Sequence, residues 1–195
     1  FFMYEFLALP LAYILGSFPS SVIVARLFFN DKKFQEEIQN GHLGTSSLKK
    51  RYGLISGILV GALDFLKGFM SIFIADKLGG DDIILVLSGI LAIIGHNWSC
   101  FLKLKGGKGA ACSYGNLFYL LPREFIISLF LTALPTFFVN KFFQYKNKIG
   151  KMRKTTFLTF ILYLFTLTMA LFFNQPIIIA FSPILFSIPI VLKNN

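Results

Sequence analysis

Long apolar blocks separated by short polar segments dominate this sequence. Seven blocks can be delimited, at residues 6–29, 54–75, 83–101, 110–121, 125–143, 155–173 and 177–192. Most are long enough to cross the roughly 30 Å hydrocarbon core of a bilayer as a helix, whereas residues 110–121 fit a short or partly re-entrant helix. The pattern therefore predicts an all-α membrane protein with about seven transmembrane helices.

The first block contains a helix-breaking residue. Pro19 ends the stretch Gly16-Ser17-Phe18-Pro19, and proline lacks a backbone N–H and clashes with the preceding turn. We expect a kink here, with freed carbonyl groups that need partners. The block is preceded by Glu5 and has no basic lead-in, so it is interpreted as the first span and not as a cleavable signal peptide.

The composition agrees with a membrane protein. Hydrophobic residues make up 55% of the 195 residues and charged residues only 14%, against about 25% charged residues in soluble domains. No internal repeat and no long linker divides the chain, which predicts a single domain over residues 1–195.

The two cysteines, Cys100 and Cys112, are interpreted as small apolar fillers.

The formal net charge of +10 would suggest nucleic-acid binding in a soluble protein. In a membrane protein, the bias of Lys and Arg toward cytoplasmic loops explains it first. With the N-terminus outside, sixteen basic residues fall on the inner side and two, Lys77 and Arg123, on the outer side. This distribution predicts an outer N-terminus, a cytoplasmic C-terminus and no nucleic-acid partner.

A Lys/Gly loop (residues 95–111) begins in the last part of the third block and leads into the fourth. Lysines and glycines alternate in it, at Lys103, Lys105, Gly106, Gly107, Lys108 and Gly109. Glycine leaves backbone N–H groups bare, and such groups beside ammonium groups form a nest for a phosphate or a carboxylate. A nucleotide P-loop is excluded, because Leu102 and Gly109 stand where that motif needs Gly and Ser or Thr. A positive-inside loop with glycines for tight turns is the alternative interpretation.

A second candidate is the polar segment at residues 39–51, in which glycines flank a histidine and three hydroxyl residues precede Lys49-Lys50-Arg51. Hydroxyls, backbone amides and cations can bind a polyol or a phosphate. The alternative is a helix N-cap followed by a basic stretch on the membrane surface.

A third candidate combines charged residues within the spans. Asp64 and Lys67 are three residues apart in the second block, so they share a helical face and can pair. Ionisable residues inside a span are costly and are by default functional, although an ion pair that only holds the bundle together is the alternative. His96 lies at a predicted helix end, and it is interpreted either as a catalytic base or as a structural residue. On the counted topology all three candidates meet at the cytoplasmic face.

These motifs resemble those of the bacterial integral-membrane acyl-phosphate:glycerol-3-phosphate acyltransferases. Residues 16–26 are similar to the family's Gly-Ser-Ile-Pro start with its downstream basic residue, and residues 63–68 match Leu-Asp-x-Leu-Lys-Gly. Residues 95–109 match Gly-His followed by Phe-Leu-x-x-Lys-Gly-Gly-Lys-Gly. The resemblance covers about residues 11–116. Residues 41–50 keep the glycines and a terminal cation of a further motif but replace both of its asparagines, and the family's C-terminal His-x-x-Asn is absent.

The resemblance implies transfer of an acyl group from acyl phosphate to the 1-hydroxyl of glycerol 3-phosphate. The products would be lysophosphatidic acid and phosphate, in the first step of phospholipid synthesis. We expect a multi-pass cell-membrane monomer in the lipid bilayer, with a cytoplasmic active site and no metal or cofactor. The candidate catalytic residues are Lys108, His96 and Ser46. The candidate substrate-binding residues are Ser17, Arg26, Gly41, His42, Gly44, Ser47, Lys50, Asp64, Lys67, Lys103, Lys105, Gly106, Gly107 and Gly109.

Acyl phosphate is already activated, so positioning and oxyanion stabilisation can supply most of the rate without a covalent intermediate. A substrate phosphate can take the hydroxyl proton, with His96 or His42 as weaker candidates for the base. The alternative function is a non-catalytic membrane protein of the same fold, either a transporter or a lipid-phosphate-binding remnant. The altered motif at residues 41–50 and the missing His-x-x-Asn favour it, whereas the lack of internal repeats argues against a transporter.

Overall fold

The computed structural model describes residues 4–29, 45–132 and 154–194, and every regular element within these ranges is helical. Single 3₁₀ turns at Glu5–Leu7 and Cys100–Leu102 accompany longer helices. The helices are α1 Ala8–Ser17, α2 Ser20–Phe29, α3 Thr45–Tyr52, α4 Leu54–Lys77, α5 Asp82–Asn97, α6 Ala110–Leu120, α7 at residues 122–132, α8 Lys154–Phe172 and α9 Ile177–Asn194.

Within the described ranges, two helical segments are long and apolar enough to cross a membrane, Glu5–Phe29 and Leu54–Lys77. Shorter apolar helices cover Asp82–Asn97, Leu158–Phe172 and Ile177–Lys193. The all-α prediction is therefore confirmed, while the number of spans and their orientation stay predictions. The later part of the predicted block at 125–143 lies outside the described residues.

The predicted kink at Pro19 is confirmed as a break between α1 and α2. Helix α1 ends at Ser17, and Phe18 adopts an extended backbone with ψ of 125°. The reason is steric, because the proline ring disfavours helical geometry in the residue before it. The break frees the carbonyl of Phe18 for a partner outside its own helix.

Small residues allow two pairs of helices to approach closely. Gly16 and Gly95 hold α1 against α5, since a Cβ on Gly16 would overlap the backbone of Ala92. Gly68 and Gly115 do the same for α4 and α6. Small residues at helix contacts are typical of bundles in membranes, where close packing replaces the hydrophobic effect as the source of association.

Helix α5 is shorter than the predicted block at 83–101 and ends at Asn97. Two side chains hold the chain at this end: Asn97 Nδ2 donates to the carbonyl of Pro189 (2.7 Å) and Ser99 Oγ donates to the carbonyl of Ser17 (2.5 Å). These long-range hydrogen bonds hold the polar residues Asn97 and Ser99 where α5 ends, before the apolar residues Cys100, Phe101 and Leu102.

The polar segment after the first block contains the helix α3. Its Leu48 is fully buried in a cluster with Val24, Ala25 and Val60, and Ser56 Oγ donates to the Leu48 carbonyl at 3.0 Å. A helix with Lys49, Lys50 and Arg51 in its last turn is therefore present at residues 45–52, while ligand binding by this segment stays a prediction.

The filler interpretation of the cysteines is confirmed for Cys112, which is buried. It is wrong for Cys100, which is exposed. The difference arises because α5 ends before Cys100 and leaves it on the loop.

Candidate active site

A cleft lies beneath the break between α1 and α2, with an empty volume of about 290 Å³ including its mouth. The break, α4, the end of α5 and the Lys/Gly loop all contribute to it. Its lining residues are Ser17, Phe18, Pro19, Ser20, Ser21, Asp64, Lys67, His96, Ser99, Leu102, Gly106 and Gly107.

The charged floor of the cleft is an ion pair on α4. Lys67 Nζ lies 2.9 Å from Asp64 Oδ1, with side-chain exposures of 7% and 4%, which confirms the predicted pairing. Lys67 Nζ also donates to the Phe18 carbonyl at 3.1 Å. The ammonium group therefore satisfies both the buried carboxylate and the carbonyl freed by Pro19, and it ties α4 to the break.

The same carboxylate faces the imidazole of His96. His96 Nδ1 lies 3.5 Å from Asp64 Oδ1, a distance too long for a strong hydrogen bond but short enough for electrostatic pairing. The opposite ring atom, Nε2, lies against Gly107, where any side chain would overlap it. Asp64 thus faces the ring from one side without a hydrogen bond to Nδ1, and the bare Gly107 makes room for the ring on the other.

Several backbone N–H groups of the Lys/Gly loop make internal hydrogen bonds, whereas the predicted anion nest requires them to be open. The N–H groups of Leu104 and Lys105 donate to the carbonyls of Ser99 and Leu102 at 2.9 and 3.0 Å, and the N–H of Gly107 donates to His96 at 3.1 Å. The prediction of an open run of N–H groups is wrong for these amides, because two of them donate to carbonyls within the loop and that of Gly107 donates to a carbonyl of α5.

The glycines of the loop serve close packing in addition to turning. A Cβ on Gly106 would overlap the carbonyl oxygen of His96, and one on Gly109 would come within 2.8 Å of Asn97 Oδ1. Gly109 also has a φ of 80°, a conformation that residues with a side chain rarely adopt. These contacts hold the loop against the end of α5.

Two further hydrogen bonds join the end of α5 to α1. Tyr13 Oη donates to the Trp98 carbonyl at 2.9 Å, and the N–H of Cys100 donates to Ser17 Oγ at 3.5 Å. Together with the bond from Ser99, they position the loop across the helix break.

The structure brings part of the predicted site together. The predicted residues that line the cleft are Ser17, Asp64, Lys67, His96, Gly106 and Gly107. Four predicted residues are exposed and lie outside the lining: Arg26, Lys50, Lys103 and Lys105. Lys108 is half-buried and Gly109 is buried, and both flank the cleft in the chain without lining it.

The remaining predicted residues belong to the polar segment. The backbone of Ser46 and Ser47 lies in α3. Three others fall outside the described residues: Gly41, His42 and Gly44.

Sequence reasoning did not select the serines that complete the cleft, Ser20, Ser21 and Ser99. Ser20 is 3% exposed, and its Oγ has no hydrogen-bond partner among the residues that the structure describes. A buried hydroxyl without a partner at the lining of a polar cleft suits contact with a ligand. A signal for Ser20 and Ser21 was present, because together with Ser17 they flank the helix-breaking Pro19 in the sequence.

A comparison with protein families shows which family this chain belongs to. The model of the glycerol-3-phosphate acyltransferase family matches residues 6–193. The chain belongs to this family. A glycerol-3-phosphate acyltransferase 2 of Moorella thermoacetica is 34% identical over 116 residues, which are 60% of this chain and 58% of that protein. A glycerol-3-phosphate acyltransferase 2 of Lactobacillus johnsonii is 36% identical over 72% of this chain and 64% of that protein. The matched part thus spans about three fifths of the length of these curated relatives.

Members of the glycerol-3-phosphate acyltransferase family have also been solved. Crystal structures of PlsY, an integral membrane glycerol 3-phosphate acyltransferase, are similar to this chain at 26% identity, covering 97% of this chain and 87% of PlsY. The TM-score is 0.69 for the glycerol 3-phosphate form and 0.71 for the lysophosphatidic acid form. The helical arrangement around the cleft is therefore that of an integral membrane relative over nearly the whole chain.

Proposed function

We propose that this protein transfers an acyl group from acyl phosphate to the 1-hydroxyl of glycerol 3-phosphate, giving lysophosphatidic acid and inorganic phosphate. The observation that carries the proposal is the convergence of Asp64, Lys67 and His96 with Gly106 and Gly107 in one cleft, in a chain of the glycerol-3-phosphate acyltransferase family.

The reaction forms one bond and breaks another at the same carbon. The 1-hydroxyl oxygen of glycerol 3-phosphate attacks the acyl carbonyl carbon, and the new ester bond forms. The bond from that carbon to the phosphate oxygen breaks, and phosphate leaves with the electron pair. The hydroxyl proton passes to a substrate phosphate oxygen or to a base on the protein.

The cleft offers a base and a way to orient it. The Asp64 carboxylate beside His96 Nδ1 favours the tautomer that carries its proton on Nδ1, which leaves Nε2 as the proton acceptor. The arrangement uses the same orienting logic as other Asp–His pairs. A positioned base of this kind contributes about 10²–10⁴ in rate. In this proposal Asp64 and Lys67 position the imidazole and the helix break, a role that their mutual pairing supports.

The phosphates require cations and hydroxyls. We assign Lys108 and Lys105 of the Lys/Gly loop to the substrate phosphates, together with the unpartnered hydroxyl of Ser20. We also assign His42, Ser46, Ser47 and Lys50 to the substrates. Helix α3, which contains the last three, packs against α2 and the first turn of α4, so α3 lies at the same end of the bundle as the loop.

The site is proposed to face the cytoplasm from a multi-pass protein of the cell membrane. The distribution of basic residues supports this orientation, since Lys103, Lys105 and Lys108 follow the same end of α5 that forms the cleft.

The test is acyl transfer by the purified protein, with acyl phosphate and labelled glycerol 3-phosphate, scored for lysophosphatidic acid and phosphate in equal amounts. We expect Lys108→Ala to lower kcat/KM by about 10²–10³, because a positioned group that stabilises developing charge is removed. Lys77→Ala, at the far end of α4, is the matched control and should keep wild-type activity. Binding of glycerol 3-phosphate without any product would overturn the proposal in favour of the non-catalytic alternative.

A further inference from the structure

A second cavity lies on the other side of α5 from the cleft. It is a groove between α5 and α9 with an empty volume of about 460 Å³. We call it the α5–α9 groove, and its walls are formed by Ile90 and Ile94 on α5, by Trp98 directly after α5, and by Leu185, Ile188 and Leu192 on α9. His96 follows Ile94 by two residues, about 200° around the helix, so the groove and the cleft occupy opposite faces.

Its walls are apolar side chains throughout, and Pro189 lies among them. Asn97 fixes the two helices to each other through its hydrogen bond to the Pro189 carbonyl. Ile188 and Leu192 are 50% and 61% exposed, so the groove opens outward. An aliphatic chain is the ligand that such walls favour, because they offer no polar partner.

A cation stands at one end of the groove. Lys193 Nζ lies 5.2 Å from the centroid of the Trp98 ring, within the range of a cation–π contact. No carboxylate pairs with this ammonium group among the residues that the structure describes. Lys and Trp together are typical of the membrane interface, where phosphate groups lie. The combination of an apolar groove and a cation at its end matches an acyl chain that bears an anionic headgroup.

We propose that the α5–α9 groove binds an anionic glycerophospholipid of the surrounding bilayer, with one acyl chain along Ile90 and Ile94 and the phosphate group at Lys193. The site is separate from the proposed acyl-transfer cleft, since it lies on the opposite face of α5. This lipid-binding proposal depends on the membrane placement proposed above, and it does not depend on acyl-transfer activity.

The chain carries a built-in reporter for this site, because Trp98 is its single tryptophan. The full chain is reconstituted into vesicles with dibrominated phosphatidylglycerol or dibrominated phosphatidylcholine at equal mole fraction, and bromine quenching of Trp98 is measured. We expect about fivefold tighter association of the anionic lipid, the ratio that corresponds to about 1 kcal/mol for one lysine at an anionic surface. Lys193→Gln should reduce this ratio to about one.

Lys77→Gln is the matched control, because Lys77 Nζ also lies over an aromatic ring, 5.5 Å from the centroid of Phe73, but away from the groove. It should keep the fivefold preference. Comparing the two lipids within each variant cancels any direct effect of the charge on Trp98 emission. Leu185→Phe, which fills the groove, should lower quenching by both lipids.

Equal quenching by both lipids in the wild type, or a preference that survives Lys193→Gln, would overturn the site. Quenching that falls for both lipids as the protein-to-lipid ratio rises would assign the groove to a second copy of the chain and would also overturn it. No quenching by either lipid would reject the membrane placement itself. Loss of acyl transfer with an intact lipid preference would reject the proposed function alone, so the two failures are distinguishable.

Discussion

At the scale of single residues, the chemistry concentrates on one carboxylate. Asp64 contacts both Lys67 and His96, and it is almost fully buried. A buried ion pair is weak evidence for stability, because desolvation of the two charges offsets their attraction. We therefore interpret the pair as one that orients the imidazole of His96 and holds the α1–α2 break in place.

Variants that remove the Asp64 charge alone, or the charges of both Asp64 and Lys67, separate a stabilising role of the pair from a positioning role. Asp64→Ala should lower the free energy of unfolding by about 3–5 kcal/mol, because the Lys67 charge is left buried without its counterion. The double variant Asp64→Ala/Lys67→Met should recover most of that stability, since both charges are gone. It should nevertheless lack acyl transfer, because His96 has lost its orienting partner. Denaturation in mild detergent and the transfer assay measure the two effects. An active double variant would show that the pair is purely structural.

Gly107 affects the proposed mechanism through its contact with the imidazole of His96. Gly107→Ala should lower kcat by more than about tenfold, because the added methyl group overlaps the imidazole of His96 and displaces the ring from Asp64. The control is Gly79→Ala. A Cβ there meets no atom within 4 Å, so that variant carries only the backbone strain of its φ of 83° and should remain fully active. Wild-type kcat in Gly107→Ala would remove His96 from the proposed mechanism.

At the scale of helices, the cleft depends on how closely α4 can approach its neighbours. Gly115 on α6 faces the backbone of Phe65 on α4, and Gly68 on α4 faces the backbone of Cys112 on α6. This reciprocal contact sets the position of α4 and thereby of Asp64. A change of spacing here is transmitted to the cleft, because packed interiors do not yield smoothly.

Gly115→Val should therefore destabilise the bundle. Overpacking of a close contact costs about 1–3 kcal/mol, which corresponds to a fall in Tm of roughly 2–12 °C for a chain of this size. Thermal unfolding in detergent measures it. Ala62→Val adds bulk to the exposed face of α4 and should leave Tm nearly unchanged. Equal Tm values for the two variants would contradict the close α4–α6 contact.

At the scale of the whole molecule, α5 is the centre of the arrangement. It contacts α1, α4, α6 and α9, and it carries the cleft on one face and the α5–α9 groove on another. Orientation in the membrane therefore decides which side of the cell each site meets. The basic loops predict that the end of α5 with both sites faces the cytoplasm.

The cysteines provide a direct test of that orientation. Cys100 is exposed beside the cleft, whereas Cys112 is fully buried. A membrane-impermeant maleimide should label the protein in inside-out vesicles and leave it unlabelled in right-side-out vesicles, because only Cys100 is accessible. Cys100→Ser should abolish the labelling in inside-out vesicles. Labelling from the outer side would reverse the proposed topology.

The sequence by itself determined the local features of this protein. Helical apolar blocks, the break at Pro19 and the pairing of Asp64 with Lys67 follow from residue type and from spacings of a few residues, and they needed no knowledge of distant contacts. Its motifs also placed the chain in the right family. The amides of Leu104, Lys105 and Gly107 donate to carbonyls close by in the chain, but this follows from the folded path of the loop, which residue type does not specify. The tertiary structure alone decided that α5 stops at Asn97 and that Ser99 joins the cleft. Both depend on partners far away in the chain, Pro189 for Asn97 and Ser17 for Ser99, and no local pattern contains that information.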